Sequence, residues 1–408
     1  MAIIPEHSRS APTQTRSSWW VWVALVISLA VLAALLMNLA HQKAADGDWV
    51  DDFVEYWAAG RLNLHGGNPY AADELLAVQA AVGWNEQSPI MMWNPPPALA
   101  LVMPFGLLDY SAARVLWFVV QALLIVVSIE ALGRLYGSQG RNRYWTFALG
   151  LLFVPVLSAL QMGQIGGVVL AGITGFLVAG RRGRWTLAGA LLALAIIKPH
   201  VVYLLWVAAA IWWLGQRKLG LVLGPALAVD GGWLIATAVN PSVTAQYLEA
   251  VATAPPLYWE TVTFGALLRM AIDPQMGALQ FVPPLIGLAW LAAWWSRNRP
   301  LDDWADVTPI ILLISAMTMA FGWIFDLVVL LPAVVRIAVW LAHEPALGRR
   351  IAWAAFFVAY NAAAFWLVNA EFGSVWFVWM APVLLVAYLV LRRRAAALVG
   401  GAGSATLA

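Results

Sequence analysis

The sequence predicts an all-α membrane protein that crosses the bilayer many times, and two observations carry this prediction. The 408 residues are 62% hydrophobic and only 11% charged, whereas a soluble domain carries about 25% charged residues. Apolar runs of about 17 to 22 residues recur along the chain, each long enough to cross a hydrocarbon core about 30 Å thick as a helix. Because backbone polar groups in lipid must be satisfied within the segment, these runs are expected to be helices.

About twelve transmembrane helices are predicted in one domain over residues 19–394, flanked by short cytoplasmic tails at 1–18 and 395–408. The first span runs from Trp19 to about Ala40, which is too long for the core of a signal peptide and is therefore expected to stay uncleaved. The later spans are predicted at about 111–133, 144–162, 164–180, 185–199, 200–215, 219–239, 276–296, 306–323, 325–342, 351–370 and 374–391.

The basic residues predict which connections face the cytoplasm, because cytoplasmic connections carry an excess of Lys and Arg. If the N-terminus is cytoplasmic, 17 of the 23 basic residues fall in the tails and connections on that side. Two long connections, at about 41–94 and 240–275, then lie on the extracytoplasmic side. The 17 residues are Arg9, Arg16, Arg134, Arg141, Arg143, Arg181, Arg182, Arg184, Arg217, Lys218, Arg297, Arg299, Arg349, Arg350, Arg392, Arg393 and Arg394.

The apolar run from Pro95 to Leu108 has no place among these spans. It is about 14 residues long, opens with three consecutive prolines and is too short to span comfortably. Counting it as a span would also invert the side of every later connection. It is therefore predicted to be a re-entrant or half-inserted helix, which is tolerated only where it is buried in protein or lines a water-filled cavity.

The first long connection is acidic and contains a predicted helix. Apolar and aromatic residues over positions 49–60 recur at helical spacing, which predicts an amphipathic helix lying on the membrane surface. Asp52, Glu55 and Tyr56 are three and four residues apart, so they share one face of that helix. A turn signal at residues 68–70 predicts a second short helix after it.

The same topology sorts the remaining polar residues by side. Gln164, Lys198, His200 and Asp326 each lie at the outer end of a predicted span, on the same side as Asp52. Charged groups at the edge of the hydrocarbon are costly and usually functional. Their convergence therefore predicts an active site at the extracytoplasmic face.

Six short motifs follow one another along roughly residues 50–335. They are Asp52-Phe53-x-x-Tyr56, Gly66-Gly67-Asn68-Pro69-Tyr70, Trp93-Asn94-Pro95-Pro96-Pro97, Gly163-Gln164, Lys198-Pro199-His200 and Trp323-x-x-Asp326-Leu327. In this order they resemble the membrane glycosyltransferases of family 87, which have the GT-C fold and are typified by polyprenyl-phosphate-mannose-dependent mannosyltransferases. The sequence departs from the family just after Gln164, where Gly166 and Gly167 stand in a region that often carries Asn.

The resemblance implies transfer of a single, mannose-like sugar from a polyprenyl-phosphate donor to the hydroxyl of an extracytoplasmic lipid or glycan acceptor. Asp52 would be the general base that takes the hydroxyl proton, with Asp326 as a second catalytic carboxylate. Lys198, His200 and Arg269 would bind the donor phosphate. The residues expected to contact substrate are Glu55, Tyr56, Asn94 and Gln164.

No cofactor and no metal ligand set is predicted. Asp51, Asp52 and Glu55 are compatible with a divalent ion, but carboxylates alone do not establish one, and the chain has no Cys. The expected partners are the polyprenyl-phosphate-sugar donor, the lipid or glycan acceptor and membrane lipids, without nucleic acid. The expected location is the bacterial inner membrane, with the active site facing the extracytoplasmic side.

Each candidate residue also has a structural interpretation. The acids before the first long helix can be solvated or cap that helix. Lys198 can extend its side chain along a helix end to the interface, His200 can simply pack, and Arg269 can anchor its loop at the interface. Asp230 lies inside a predicted span and is interpreted as a hydrogen-bonding residue between helices.

Two other functions stay open at this point. A transporter or flippase would also have about a dozen helices, but it would be expected to place ionisable residues near the bilayer midplane rather than at the outer rim. A ligase or polymerase of lipid-linked glycans would share the membrane location and the donor type. It would transfer a chain instead of one sugar, so the size of the product distinguishes it.

Overall fold

The computed structural model describes residues 50–253, 259–298 and 303–405, so the predicted first span lies outside the described residues. Within these ranges the chain is helical and has no strand. The α-helices are α1 (Phe53–Leu64), α2 (Ala72–Ala80), α3 (Pro97–Gly106), α4 (Tyr110–Leu135), α5 (Arg143–Leu151), α6 (Val154–Gln161), α7 (Gly166–Arg181), α8 (Trp185–Leu192), α9 (Tyr203–Gln216), α10 (Gly220–Val239), α11 (Val243–Thr253), α12 (Phe264–Ile272), α13 (Val282–Arg297), α14 (Trp304–Thr318), α15 (Leu331–Ala342), α16 (Leu347–Asn369) and α17 (Met380–Ala405). Short 3₁₀ helices cover Gly140–Asn142, Ala193–Ile197, Gly277–Phe281, Ile324–Leu330 and Ser374–Phe377.

Each predicted span from residue 111 onward coincides with a helix or a pair of helices. Among the described residues, six helical segments are long and apolar enough to cross a membrane, and α5 with α6 would form a seventh, broken span with a bend of 55°. The other predicted spans correspond to shorter apolar helices. The protein is therefore a multi-pass membrane protein, and the count of about twelve spans stays a prediction. The six segments are Tyr110–Leu135, Gly220–Val239, Gly277–Arg297, Ile324–Ala342, Leu347–Asn369 and Ser374–Leu398.

The segment predicted to be re-entrant forms α3, which has ten residues. At 1.5 Å per residue it is about 15 Å long, roughly half the thickness of a hydrocarbon core. Most of α3 is buried, and it lies very close to α1, since a Cβ added at Gly60 would be 2.8 Å from the carbonyl oxygen of Val102. A short helix packed inside protein fits a segment that does not cross the bilayer.

The prediction that α1 is an amphipathic helix on the membrane surface is wrong. All residues from Phe53 to Gly60 are buried, so the first two turns expose no face to solvent or headgroups. α3 covers one side, and the rings of Tyr110 and Trp117 on α4 pack against Phe53. The aromatic residues that produced the helical pattern are core residues, and they place Asp52 at the N-terminus of a buried helix. The second predicted helix is confirmed as α2.

Contacts among the connections divide them into two ends of the molecule. The two long connections predicted to be extracytoplasmic meet each other, because Asn240 donates to the carbonyl oxygen of Gly67 and the ring of Trp93 packs on that of Trp259. We call this end the site end. It comprises residues 50–52, 65–71, 81–96, 107–109, 162–165, 198–202, 240–242, 259–263, 319–323 and 370–373.

The connections predicted to be cytoplasmic meet at the other end, which we call the arginine end. Asn142 contacts His343 at 3.3 Å, Arg181 lies 3.4 Å from Asp303, and Arg394 reaches Glu344 at 2.5 Å. The partition of contacts therefore follows the alternation of basic residues in the sequence. The arginine end comprises residues 136–142, 181–184, 217–219, 343–350 and 392–394 with Asn298 and Asp303.

Candidate active site

The turn between α6 and α7 brings Gln164 to the start of α1. Gly163 in this turn has a φ of 68°, which glycine adopts without steric cost. A Cβ at Gly163 would lie 2.7 Å from the Cβ of Phe53, so only glycine permits this approach. Trp117 Nε1 donates to the Gly163 carbonyl oxygen at 2.7 Å and holds the turn against α4. The motif Gly163-Gln164 therefore has a structural requirement at its first position.

Gln164 joins three side chains through one amide group. Its Nε2 donates to Asp52 Oδ2 at 2.8 Å, and its Oε1 accepts from the Tyr56 hydroxyl at 2.9 Å and from Lys198 Nζ at 2.8 Å. Because an ammonium group has only donors, the amide oxygen must face Lys198, which leaves the amide nitrogen to face Asp52. Lys198 Nζ also donates to Asp326 Oδ1 at 2.7 Å. We call these five residues the Gln164 network.

The ion pair between Lys198 and Asp326 is held from several sides. The backbone N–H of Trp323 donates to Asp326 Oδ2 at 3.0 Å, so both carboxylate oxygens of Asp326 are used. Lys198 Nζ lies 4.8 Å from the centre of the Phe325 ring, which is a cation–π contact. Both side chains are buried, and such a pair is tolerated only when further hydrogen bonds satisfy its members. The sequence-predicted residues Asp52, Tyr56, Gln164, Lys198 and Asp326 are thus brought together.

Asn94 supports the same network from the first long connection. Its side-chain Nδ2 donates to the backbone carbonyl oxygen of Ile197 at 2.8 Å. The backbone carbonyl oxygen of Asn94 accepts from the Tyr70 hydroxyl at 3.1 Å. Ile197 directly precedes Lys198, so Asn94 holds the backbone from which the Lys198 side chain extends. The contact between Asn94 and substrate stays a prediction.

Asp51 and Asp52 are adjacent but have different partners. Asp51 Oδ2 forms a salt bridge with Arg114 Nη2 at 2.5 Å, and Arg114 also donates to the last carbonyl groups of α6. Asp52 instead accepts from the uncharged amide of Gln164, and within the described residues its Oδ1 has no hydrogen-bond donor. Asp51 is therefore tied into the scaffold, whereas Asp52 keeps an oxygen for another partner.

Arg114 is a site residue that the sequence analysis did not single out. It lies on α4, one of the longest apolar helices, and its side chain is buried. A charged residue within an apolar span is rare and usually has a specific partner, so the sequence contained a signal for it. What it did not contain is the identity of that partner, because Asp51 is 63 residues away.

Burial raises the pKa of Asp52 to about 6. Desolvation is the largest cause, the hydrogen bond from Gln164 opposes it, and the nearby negative charge of Asp51 adds to it. A carboxyl group with this pKa is mostly ionised at pH 7 and is a stronger base than an ordinary Asp. The carboxylate of Asp52 can therefore accept a proton from a hydroxyl group placed near Oδ1.

Glu55 lies one turn further along α1 and is in a different protonation state. Desolvation raises its pKa to about 8, against a smaller opposing effect of a hydrogen bond with Tyr56. Glu55 is therefore mostly protonated at pH 7 and can donate a hydrogen bond. Two carboxyl groups on one helical face whose pKa values are pushed apart form an arrangement typical of sites that transfer protons.

His200 is half-buried next to the Gln164 network, and its Nε2 atom is enclosed by protein. Desolvation lowers its pKa to about 4, so its imidazole is neutral at pH 7. The ring packs edge-on against Phe321, with 6.4 Å between centroids. In the part of the chain that the structure describes, His200 Nε2 has no hydrogen-bond partner. A neutral imidazole can bind phosphate through an N–H donor but not through a full positive charge.

Arg269 on α12 holds the second long connection in shape. Its guanidinium donates to the carbonyl oxygen of Trp259 at 2.8 Å and to Gln280 Oε1 at 3.3 Å. The Trp259 ring packs on Trp323, the residue whose N–H binds Asp326. Arg269 therefore connects to the Gln164 network through this pair of tryptophans, and its contact with donor phosphate stays a prediction.

The acidic residues considered for a divalent ion have different partners in the structure. Asp51 is turned to Arg114 and Asp52 to Gln164, while Glu55 is buried and mostly protonated at pH 7. Over the described ranges, no group of three or more His, Asp or Glu side chains is arranged to hold a metal ion. The three carboxyl groups therefore have different surroundings.

Asp230 does not have the position that the sequence suggested. It was interpreted as a hydrogen-bonding residue between helices, but its side chain is exposed on α10. That helix is a candidate span of which only 11% of the most apolar part is buried. The sequence pattern identified the helix correctly and could not show which face of it packs, because the apolar residues of α10 surround the whole helix.

Comparisons with known proteins agree with the motif pattern. The sequence model for glycosyltransferase family 87 matches residues 93–321, which is more than half of the chain. The chain is also 28% identical over 319 residues to an alpha-(1->3)-arabinofuranosyltransferase of Corynebacterium glutamicum, covering 75% of this chain and 71% of that protein. No solved structure matches the chain. The matched range contains Asn94, Gln164, Lys198 and His200, whereas Asp52 lies well before its start and Asp326 lies shortly after its end.

Proposed function

Since the chain belongs to glycosyltransferase family 87 and has the GT-C fold, we propose that it transfers one sugar from a polyprenyl-phosphate donor to a hydroxyl group. The acceptor is a lipid or glycan on the extracytoplasmic side of the membrane. The observation that carries this proposal is the Gln164 network, which holds a base with a raised pKa beside a buried cation at the site end. A lipid-linked donor must be met at the membrane surface, where this network lies in the proposed topology.

Asp52 is the general base in this proposal. As the acceptor oxygen attacks the anomeric carbon, the bond between that carbon and the phosphate oxygen breaks, and the hydroxyl proton passes to Asp52 Oδ1. Polyprenyl phosphate leaves with the electron pair of the broken bond. Gln164 holds the other carboxylate oxygen of Asp52, which fixes the orientation that proton transfer needs.

The leaving phosphate gains negative charge and needs donors nearby. Lys198 supplies an ammonium group, which shares two of its three protons with Gln164 and Asp326 and has a third to donate. His200 supplies a neutral N–H, and Arg269 holds the loop above and is the third candidate. Asp326 sets the position of Lys198, so its catalytic role in this proposal is to act through that cation.

The residues proposed to contact the substrate divide into two kinds. Glu55, protonated at pH 7, can donate to a sugar hydroxyl. Tyr56, Gln164 and Asn94 already form hydrogen bonds with protein groups, so we propose that they contact the sugar through their remaining capacity and mainly position Asp52 and Lys198.

The proposed topology has about twelve spans in the inner membrane of a bacterium, with the site end outside the cytoplasm. Asp73 and Arg182 are exposed at opposite ends of the molecule. In this Cys-free chain, Asp73→Cys should react with a membrane-impermeant thiol reagent added to intact cells, and Arg182→Cys should react only after the membrane is opened. Labelling of position 182 but not 73 in intact cells would reverse the orientation.

Purified protein incubated with a radiolabelled polyprenyl-phosphate sugar and a lipid acceptor fraction tests the activity itself. The proposal expects a product that is heavier than the acceptor by one sugar, together with free polyprenyl phosphate. A flippase would give no covalent product, and a ligase would add a longer chain. Either result, obtained with protein that is folded and binds the donor, would replace the proposal.

The donor sugar is proposed to be mannose-like, and a second candidate has a specific observation in its favour. The relative from Corynebacterium glutamicum is an arabinofuranosyltransferase, so an arabinofuranosyl donor is the alternative. Parallel reactions with polyprenyl-phosphate mannose and polyprenyl-phosphate arabinofuranose distinguish the two. Transfer of arabinofuranose with no transfer of mannose would overturn the mannose assignment and leave the proposed reaction type intact.

A further inference from the structure

A groove opens between α4 and α7 at the arginine end, far along both helices from the Gln164 network. Its volume is about 460 Å³. Apolar residues form one part of it and basic residues the other. Its lining includes Val127, Glu130, Ala131, Val178, Arg181 and Arg182.

The lining changes from apolar to basic along the axis of α4. Val127 and Arg134 are seven residues apart on that helix, which corresponds to about 10 Å. The apolar part, with Val127, Ala131 and Val178, therefore extends about 10 Å from the basic rim toward the middle of the bilayer. No water is present at hydrocarbon depth, so an open apolar groove in a span is filled by a lipid chain or by another protein segment.

The basic rim has positive charge in excess. The single carboxylate of the lining, Glu130, is already bridged by Arg134 at 2.6 Å and by Arg143 at 2.8 Å. Arg181 has only a long contact of 3.4 Å with Asp303, and both of these side chains are more than half exposed. Arg182 is exposed beside it. Two guanidinium groups at the mouth of the groove are therefore available to bind an anion.

We propose that this groove binds one anionic phospholipid of the leaflet at the arginine end. The lipid phosphate is held by Arg181 and Arg182, and one acyl chain lies along Val127, Ala131 and Val178. Guanidinium groups bind phosphate oxygens through paired N–H donors, and basic pockets between membrane helices favour anionic headgroups. The basic rim favours a molecule with net negative charge, and the apolar part favours one with an acyl chain. A zwitterionic lipid lacks the net charge, and a free phosphate lacks the chain.

The test measures thermal unfolding of the full-length protein in a neutral detergent while phosphatidylglycerol is added. The Tm should rise with phosphatidylglycerol and stay nearly constant with phosphatidylcholine or with glycerol 3-phosphate. In Arg181→Gln/Arg182→Gln the lipid concentration that gives half of the rise should increase about tenfold or more, from the loss of two charges near the phosphate. Ala131→Trp keeps every charge and fills the apolar part of the groove. It should also raise the lipid concentration that gives half of the Tm rise about tenfold or more.

Arg217→Gln/Lys218→Gln is the matched control, because it removes two exposed charges at the same end away from the groove. It should keep the wild-type lipid dependence, and all variants should have a similar Tm without lipid. An equal loss in the control would mean that only net charge matters and would overturn the proposal. So would an equal response to glycerol 3-phosphate or phosphatidylcholine, or a much tighter response to polyprenyl phosphate than to phosphatidylglycerol.

Discussion

The charged side chains that form ion pairs differ in solvent exposure between the two ends of the molecule. At the site end, the side chains of Lys198 and Asp326 are 10% and 1% exposed. At the arginine end, Glu344 is 3% exposed, but its partners Arg349 and Arg394 are 52% and 32% exposed. The cations at the arginine end therefore keep contact with water, whereas both members of the site-end pair lose it, which makes that pair costly to desolvate. This difference fits the proposal that the charges at the site end take part in the reaction, whereas those at the arginine end do not.

Two carboxyl groups show the same contrast in their pKa values. A hydrogen bond from Arg394 lowers the pKa of Glu344 to about 2, whereas burial raises that of Asp52 to about 6. Glu344 therefore stays ionised across the physiological range, and Asp52 changes its protonation state just below neutral pH. Only a group of the second kind is suited to accept and release a proton during turnover.

The largest expected effect comes from Asp52→Asn. This change keeps the shape and removes the base, so we expect the rate of sugar transfer to fall on the order of 100-fold or more. Binding of the donor lipid should persist, because the base is not needed for binding. Measured donor affinity together with the transfer rate checks both parts. Wild-type turnover in Asp52→Asn, with Asp51→Asn inactive although folded, would overturn the assignment of Asp52.

Intermediate effects are expected from Asp326→Asn and His200→Ala. Asp326→Asn weakens the hold on Lys198, and His200→Ala removes a neutral N–H donor, so each should lower kcat/KM by about tenfold through poorer placement of the leaving phosphate. A matched change at the other end, Arg349→Gln, should leave both activity and Tm unchanged. If Arg349→Gln lowered activity as much as Asp326→Asn, the proposal that only the charges at the site end serve the reaction would be wrong.

The pH dependence should show a loss of activity in acid without unfolding. Below the pKa of about 6 the fraction of ionised Asp52 falls about tenfold per pH unit, so kcat/KM should be about tenfold lower at pH 5 than at its plateau. Because the folded state binds this proton more tightly than the unfolded chain, lowering the pH through 6 favours the folded state.

The arginine end should also stay intact at pH 5. The lowered pKa of Glu344 contributes stability that is present above its ordinary value of 4.5 and is lost only as the pH falls toward 2. Activity lost at pH 5 should therefore recover fully on return to pH 7, and the Tm at pH 5 should be no lower than the Tm at pH 7. A Tm that falls in parallel with activity between pH 7 and 5 would show that unfolding, not protonation of Asp52, causes the loss.

The smallest effect on catalysis is expected from Asp51→Asn, which should act on stability. It removes the salt bridge between Asp51 and the buried Arg114, and breaking such a pair costs about 3 kcal/mol. Transfer by the protein that remains folded should stay within about threefold of the wild type, because Asp52 keeps its hydrogen bond with Gln164. Thermal unfolding and the rate per folded molecule separate the two contributions. An Asp51→Asn protein with normal Tm but no activity would contradict a scaffold role.

The motif residues show how far sequence reasoning reached into the site. Asp52, Gln164, Lys198 and Asp326 were singled out because each is polar at the end of an apolar run, and the structure brings them together. Their hydrogen bonds join residues 34 to 128 positions apart in the chain. No local pattern specifies which oxygen faces which donor over such separations, so the role of Gln164 as the bridge was not predictable.

What the sequence by itself determined was the helical, multi-pass architecture, because the length and apolarity of a span are local properties set by the thickness of the bilayer. The tertiary structure decided which helix faces are buried and which charged groups meet. It places α1 in the core rather than on the surface. It also pairs Asp51 with Arg114 in a salt bridge, whereas Asp52 accepts a hydrogen bond from Gln164. Those outcomes depend on close packing among segments distant in the chain, and packing selects partners by shape and by the cost of burying an unpaired charge.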